Sequence, residues 1–110
     1  MFSYKLNQED KHVFIQFIGD LDIEATEALE EITSNTVPFA NLELDFSEVP
    51  FVDSTGIGLL INLIESMKNM AECIEVGIKN IHPLVMEVFE ILQLDEILGE
   101  NVKLLSMEVL

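Results

Sequence analysis

Residues 46–56 read FSEVPFVDSTG, and the two periodicities that meet in this stretch decide the fold. Upstream of it Leu42, Leu44 and Phe46 alternate with Asn41, Glu43 and Asp45, the period of a strand that buries mainly one face. Downstream, Ile57, Leu60, Ile61 and Ile64 recur at i, i+3, i+4 and i+7 and continue through Met67 and Ala71, which predicts a helix from Thr55 to about Met70. Ser54 therefore falls at a strand-to-helix junction. There the first backbone N–H groups of the helix have no intrahelical partners and the aligned peptide dipoles favour negative charge, so a phosphate is well accommodated.

Nearer the N-terminus, residues 3–7 and 12–18 read as two strands joined by the polar turn Asn7 to Lys11, a hairpin. Gly19 ends the apolar run. Ala25, Ala28, Leu29 and Ile32 then recur at helical spacing while Glu24, Glu27, Glu30 and Glu31 fall elsewhere, which predicts an amphipathic helix with an acidic face. Residues 35–40, with Pro38, form a loop before the central strand. Beyond the second helix, Ile74, Val76 and Ile78 alternate as a fourth strand, Asn80 and Pro83 punctuate, and Leu84, Val85, Val88 and Leu92 mark a third helix. Leu94 to Leu98 adds a short helical turn, and residues 101–109 read as an edge strand or a loosely held tail. This order calls for one α/β domain over residues 1–110: a mixed sheet of four to five strands, right-handed parallel crossovers, and helices mainly on one face.

The 110 residues are 49% hydrophobic, enough for a core without disulfides or metal. Twenty-one acids against five lysines give a formal charge of −16, which argues against nucleic acid as a partner and marks either solvated faces or a surface that attracts a basic protein. The lone Cys73 forms no intrachain disulfide, suits a reduced compartment and belongs to the residue type most often buried and inert. The N-terminal MFSYKLNQEDKHVF lacks the features of a signal peptide, and Ser54 to Ile64, an uncharged run as long as any in the chain, falls far short of the roughly 20 residues that span a bilayer. A cytoplasmic protein with no direct membrane contact is expected.

Ser54 has a structural reading beside the chemical one, because Ser is a preferred N-cap and its loss costs about 1 kcal/mol. A hydrolase nucleophile does not fit: the elbow G-x-S-x-G requires Gly where Val52 stands, and neither His12 nor His82 is marked as a base. Gly56 and Gly58 lack the third glycine of a dinucleotide fingerprint, since position 61 is Ile. Asp20 with Asp22, and Asp45 with Asp53, read as loop and cap residues, and no His/Cys spacing suggests a metal. The helix after Ser54 is unusual in one respect. Leu59, Leu63 and Met70 lie on the shoulder of its apolar stripe, so they either pack beneath the helix at 84–92 or form an exposed patch that docks a partner beside Ser54.

At these residues the chain resembles the STAS-domain family, and within it the bacterial anti-sigma-factor antagonists of the SpoIIAA and RsbV type. The family motif is an aliphatic-rich strand, a D-x-S-x-[VI] turn, an aromatic or aliphatic pair and D-S-[ST]-G-[LI]; residues 42–60, LELDFSEVPFVDSTGIGLL, match almost throughout. Gly19, Leu21 and Asp22 in IGDLDIEAT are similar to the G-x-[LI]-D loop that precedes the family's first long helix.

The resemblance implies a partner switch by a protein that is not itself an enzyme. The unphosphorylated form binds an anti-sigma factor that is also a serine kinase and frees the sigma factor; phosphorylation of the motif serine breaks the complex, and a metal-dependent PPM-type serine phosphatase restores it. On this resemblance Ser54 is the phosphoacceptor, Asp53 the preceding acid, Thr55 a second hydroxyl beside it, and Gly56 the residue that permits close backbone approach. Gly19, Leu21, Asp22, Leu59 and Leu63 are the expected partner-binding residues. No cofactor belongs to the chain, since ATP and magnesium are the kinase's. STAS domains also serve as stressosome scaffolds and as small subunits of ABC lipid-transport complexes, and such a structural, unphosphorylated role is the alternative.

Overall fold

A computed structural model describes residues 1–35, 39–70 and 75–107, the side chain of Met70 excepted. The expectations for Pro38, Ala71, Cys73 and Ile74 and for the tail at 108–110 lie outside the described residues. The elements run β1 (Ser3–Glu9), β2 (His12–Ile18), a 3-10 turn (Ile23–Ala25), α1 (Thr26–Asn35), β3 (Asn41–Glu48), α2 (Ser54–Met70), β4 (Glu75–Ile81), α3 (Pro83–Ile91), α4 (Leu94–Leu98) and β5 (Val102–Ser106).

The five strands lie in sequence order. β1 pairs antiparallel with β2, and β2, β3, β4 and β5 are parallel neighbours. Each parallel step moves the chain in the same direction across the sheet, so right-handed crossovers bring every helix to one side. The burial pattern agrees: Val13, Ile15 and Phe17, then Leu42, Leu44 and Phe46, then Val76 and Ile78 are buried, while Phe14, Glu43 and Lys79, which point the other way, are not.

The hairpin is tighter than the sequence suggests. Asn7 and Gln8, expected in the turn, pair with Phe14 and Val13, and the turn shrinks to Asp10 and Lys11. Asp10 takes φ 54°, a left-handed conformation that Asp tolerates better than most residues. Polar side chains in β1 are acceptable because it is an edge strand with one face open to water. Across the core Phe2, Phe17, Phe46 and Phe89 form a chain of ring contacts with centroids 5.2, 5.4 and 5.9 Å apart, linking the N-terminus, β2, β3 and α3. Tyr4 ties β1 to α1 by donating its hydroxyl to Glu31 at 2.5 Å, and that hydrogen bond, with burial and the Glu31 charge, pushes the phenol up to about 12.

The two helices that flank the serine differ from expectation in what they cover. On the shoulder of α2, Leu59 and Leu63 lie against α1 and not beneath α3, lining the α1–α2 seam with Thr26, Leu29 and Thr33. On α3 the apolar residues split into two stripes, because Val85 and Phe89 are buried while Leu84 and Ile91 are 73% and 74% exposed.

Candidate functional site

The junction after β3 is built by backbone hydrogen bonds between two loops distant in sequence. Leu21 donates its N–H to the Phe51 carbonyl at 2.9 Å and accepts from the Asp53 N–H at 3.3 Å, with a parallel bridge between Leu21 and Val52. Gly19 donates to the Glu48 carbonyl at 2.9 Å. Its φ of 105° and the Met1 carbonyl oxygen 2.8 Å from where a Cβ would stand make glycine the residue suited to that position. The loop at 19–22 and the segment leading into α2 are thus brought side by side.

Gly56 is the tightest point of this arrangement. A Cβ there would fall 1.7 Å from the Leu21 carbonyl oxygen, so only glycine lets the first turn of α2 approach the 19–22 loop. Asp53 sits just ahead of the helix and accepts the Gly56 N–H on Oδ1 at 2.8 Å, while its carbonyl accepts the Ile57 N–H at 2.9 Å. That is N-cap geometry, and it belongs to Asp53. Ser54, read from the sequence as a candidate cap, instead begins the helix, and its exposed hydroxyl makes no hydrogen bond among the described residues. Thr55 is exposed beside it. The physical reason is one residue of register: the cap position needs extended backbone, and a helix that starts at Ser54 hands that position to the acid before it.

Two of the residues expected to bind a partner are buried. Leu21 is fully buried, with its N–H and carbonyl both engaged by the segment before α2, so it holds the loop; Leu63 is 3% exposed in the α1–α2 seam. Leu59 is half-buried in the same seam. Asp22 is half-buried and its Oδ1 accepts the Glu24 N–H at 3.0 Å, capping the 3-10 turn that leads into α1. Gly19 is half-buried.

Among the described residues no cluster of His, Cys, Asp and Glu could hold a metal ion. Nδ1 of His12 lies 3.1 Å from the Asn41 side-chain amide and Nε2 of His82 lies 2.9 Å from the Ser47 carbonyl. Asp45, on the open face of the sheet, would be pushed up by burial, but hydrogen bonds from the Ser47 N–H, the Asn80 amide and the Ser47 hydroxyl, with the nearby Lys79 ammonium, outweigh it and hold the carboxyl below its ordinary value. No helix among the described residues is long and apolar enough to cross a membrane.

Sequence reasoning missed a second feature of this end of the molecule. Pro50, Phe51 and Val52, just ahead of the Asp53 cap, form a groove with Leu84, Val88 and Ile91 of α3. The signal was present in the spacing: Leu84, Val88 and Ile91 stand at i, i+4 and i+7, a second stripe on a helix that already had one.

The family model for the STAS domain matches residues 3–107. No curated protein sequence matches the chain. Among solved structures, the anti-sigma factor antagonist SpoIIAA in its unphosphorylated form superposes with a TM-score of 0.63 at 19% identity, covering 98% of this chain and 90% of that one. An anti-sigma factor antagonist from Mycobacterium paratuberculosis gives 0.71 at 19% identity, with 99% and 88% covered. A sulfate transporter family protein from Wolinella succinogenes gives 0.68 at 17% identity, with 82% and 74% covered. At these identities the likeness establishes the fold.

Proposed function

The chain belongs to the STAS-domain family, and on that premise we propose that it is an anti-sigma factor antagonist working by partner switching, not itself an enzyme, with Ser54 as the phosphoacceptor. Unphosphorylated, it binds an anti-sigma factor that is also a serine kinase and frees the sigma factor. The kinase transfers the γ-phosphoryl group of its own magnesium-bound ATP to the Ser54 hydroxyl, the complex parts, and a PPM-type serine phosphatase resets the switch.

The observation that carries this reading is the division of labour between Asp53 and Ser54. Because Asp53 caps α2, the Ser54 hydroxyl is exposed and holds nothing together, so its modification leaves the helix start intact. A phosphate there brings a charge of about −2 to the positive end of a 17-residue helix, which tolerates it, and to a surface that a docked partner must desolvate, which does not. The Gly19–Asp22 loop, laced to the same segment, would frame the docking surface through its backbone and the Asp22 side chain.

The test is incubation with the cognate kinase and ATP followed by phosphosite mapping. Stoichiometric phosphate on Ser54, abolished in Ser54→Ala, is the expected result; phosphate on Thr55 with Ser54 unmodified, or none at all, contradicts the reading.

A further inference from the structure

The groove between α3 and the segment before Ser54 has unusual chemistry for an exposed surface. Its walls are Pro50, Phe51, Leu84, Val88 and Ile91, with Phe51 half-exposed and Leu84 and Ile91 about three-quarters exposed, and Glu87 is its charged member. An exposed apolar strip of this kind on a small domain marks a place where something docks. The wall on the α3 side consists of side chains at i, i+4 and i+7, spanning about two helical turns or ~10 Å, and α3 offers no free strand edge for an added β-strand. The shape suits a short helix laid along it.

Charge identifies the kind of helix. Neither the segment 49–53 nor α3 contains a lysine, and Glu48, Glu87 and Glu90 are exposed on or beside these segments. Of the five lysines, Lys5, Lys79 and Lys103 belong to strands, Lys11 to the hairpin turn, and Lys68, the sole cation on any helix, donates to the Leu98 carbonyl. The helical side of the molecule is therefore acidic around an apolar strip. A second copy of this chain, also at −16, brings like charge and no basic helix to the contact, and an anionic lipid surface is repelled in the same way.

We propose that this groove docks a short amphipathic helix of a partner protein, with apolar residues on one face and Lys or Arg on its flanks. The proposal rests on the reading of Ser54 as a switch site only in identifying that partner with the kinase; as a binding site the groove stands alone. Apolar contacts from the partner helix would fill the strip between Leu84 and Ile91, and its basic flanks would face Glu87 and the neighbouring acids. Because Phe51 and Val52 lead directly into Asp53 and Ser54, a helix in the groove would hold the partner next to the serine.

The experiment uses three labelled 14-residue peptides: an amphipathic helix of Leu and Lys, its Leu and Glu counterpart, and a scrambled Leu and Lys control. Each is titrated into the whole protein by fluorescence anisotropy, with amide shifts mapping the site. The expected result is binding of the Leu and Lys helix alone, with shifts centred on Phe51, Leu84, Val88 and Ile91. Affinity should fall at least about tenfold in the double variant Leu84→Ser with Ile91→Ser, which keeps the charge unchanged. Both residues are exposed, and an unaltered melting temperature confirms that the variant folds. Equal binding of the scrambled peptide, unchanged affinity in the double variant, or shifts confined to the acidic face of α1 would overturn the proposal, as would self-association or vesicle binding through the same residues. None of these readouts involves phosphorylation, so the proposal can fail while Ser54 is phosphorylated and stand while it is not.

Discussion

Asp53 and Ser54 are neighbours with separable roles. The Asp53 carboxylate satisfies the Gly56 N–H, a donor that would otherwise be orphaned at the start of α2, whereas the Ser54 hydroxyl is turned to solvent. Asp53→Ala should therefore lose about 1 kcal/mol of folding stability, while Ser54→Ala should change it by less than about 0.5 kcal/mol, as an exposed substitution does. Urea unfolding of the two variants checks this, and a larger loss for Ser54→Ala than for Asp53→Ala would return the cap to the serine. Both readings of Ser54 were open in the sequence, because D-S-T-G presents two good capping residues in a row and spacing alone does not fix where the helix begins.

At the scale of elements, α1 decides how α2 is used. It lies along the flank of α2 and takes Leu63 into the core, leaving Leu59 half-covered at the rim of the seam. Leu63→Ala should cost about 2–5 kcal/mol in denaturant unfolding, and Leu59→Ser markedly less; comparable losses at the two positions would show that the seam is not arranged this way. The strand–helix order was legible because alternation in β2 and β3 and the i, i+3, i+4 pattern in α2 are strong local signals. Which helix covers the shoulder was not, since Leu59 and Leu63 have the same spacing relative to the stripe whichever neighbour packs on them, and that choice is made by the crossover geometry of the whole sheet. The second stripe of α3 was hidden for a related reason. Leu84, Val85, Val88 and Leu92 make a plausible single face until Phe89 fixes which side is buried.

At the scale of the molecule, sequential parallel strands put every helix on one side, and that side carries the acids of α1, α3 and α4 around a serine at the head of the central helix. The motif itself was legible: Gly19 and Gly56 stand where the two loops meet, and Asp53 and Ser54 stand where the helix starts. What long-range pairing added is that Leu21 is buried as a strut between the two loops. In the proposed switch, charge at Ser54, and not a change in the fold, releases the partner. The most direct measurement is calorimetric titration of Ser54→Ala and Ser54→Asp, both checked as folded, against the cognate kinase. Ser54→Ala should bind as tightly as the unmodified protein and Ser54→Asp at least about tenfold more weakly, a difference of ~1.4 kcal/mol or more; equal affinities for the two variants would contradict the claim.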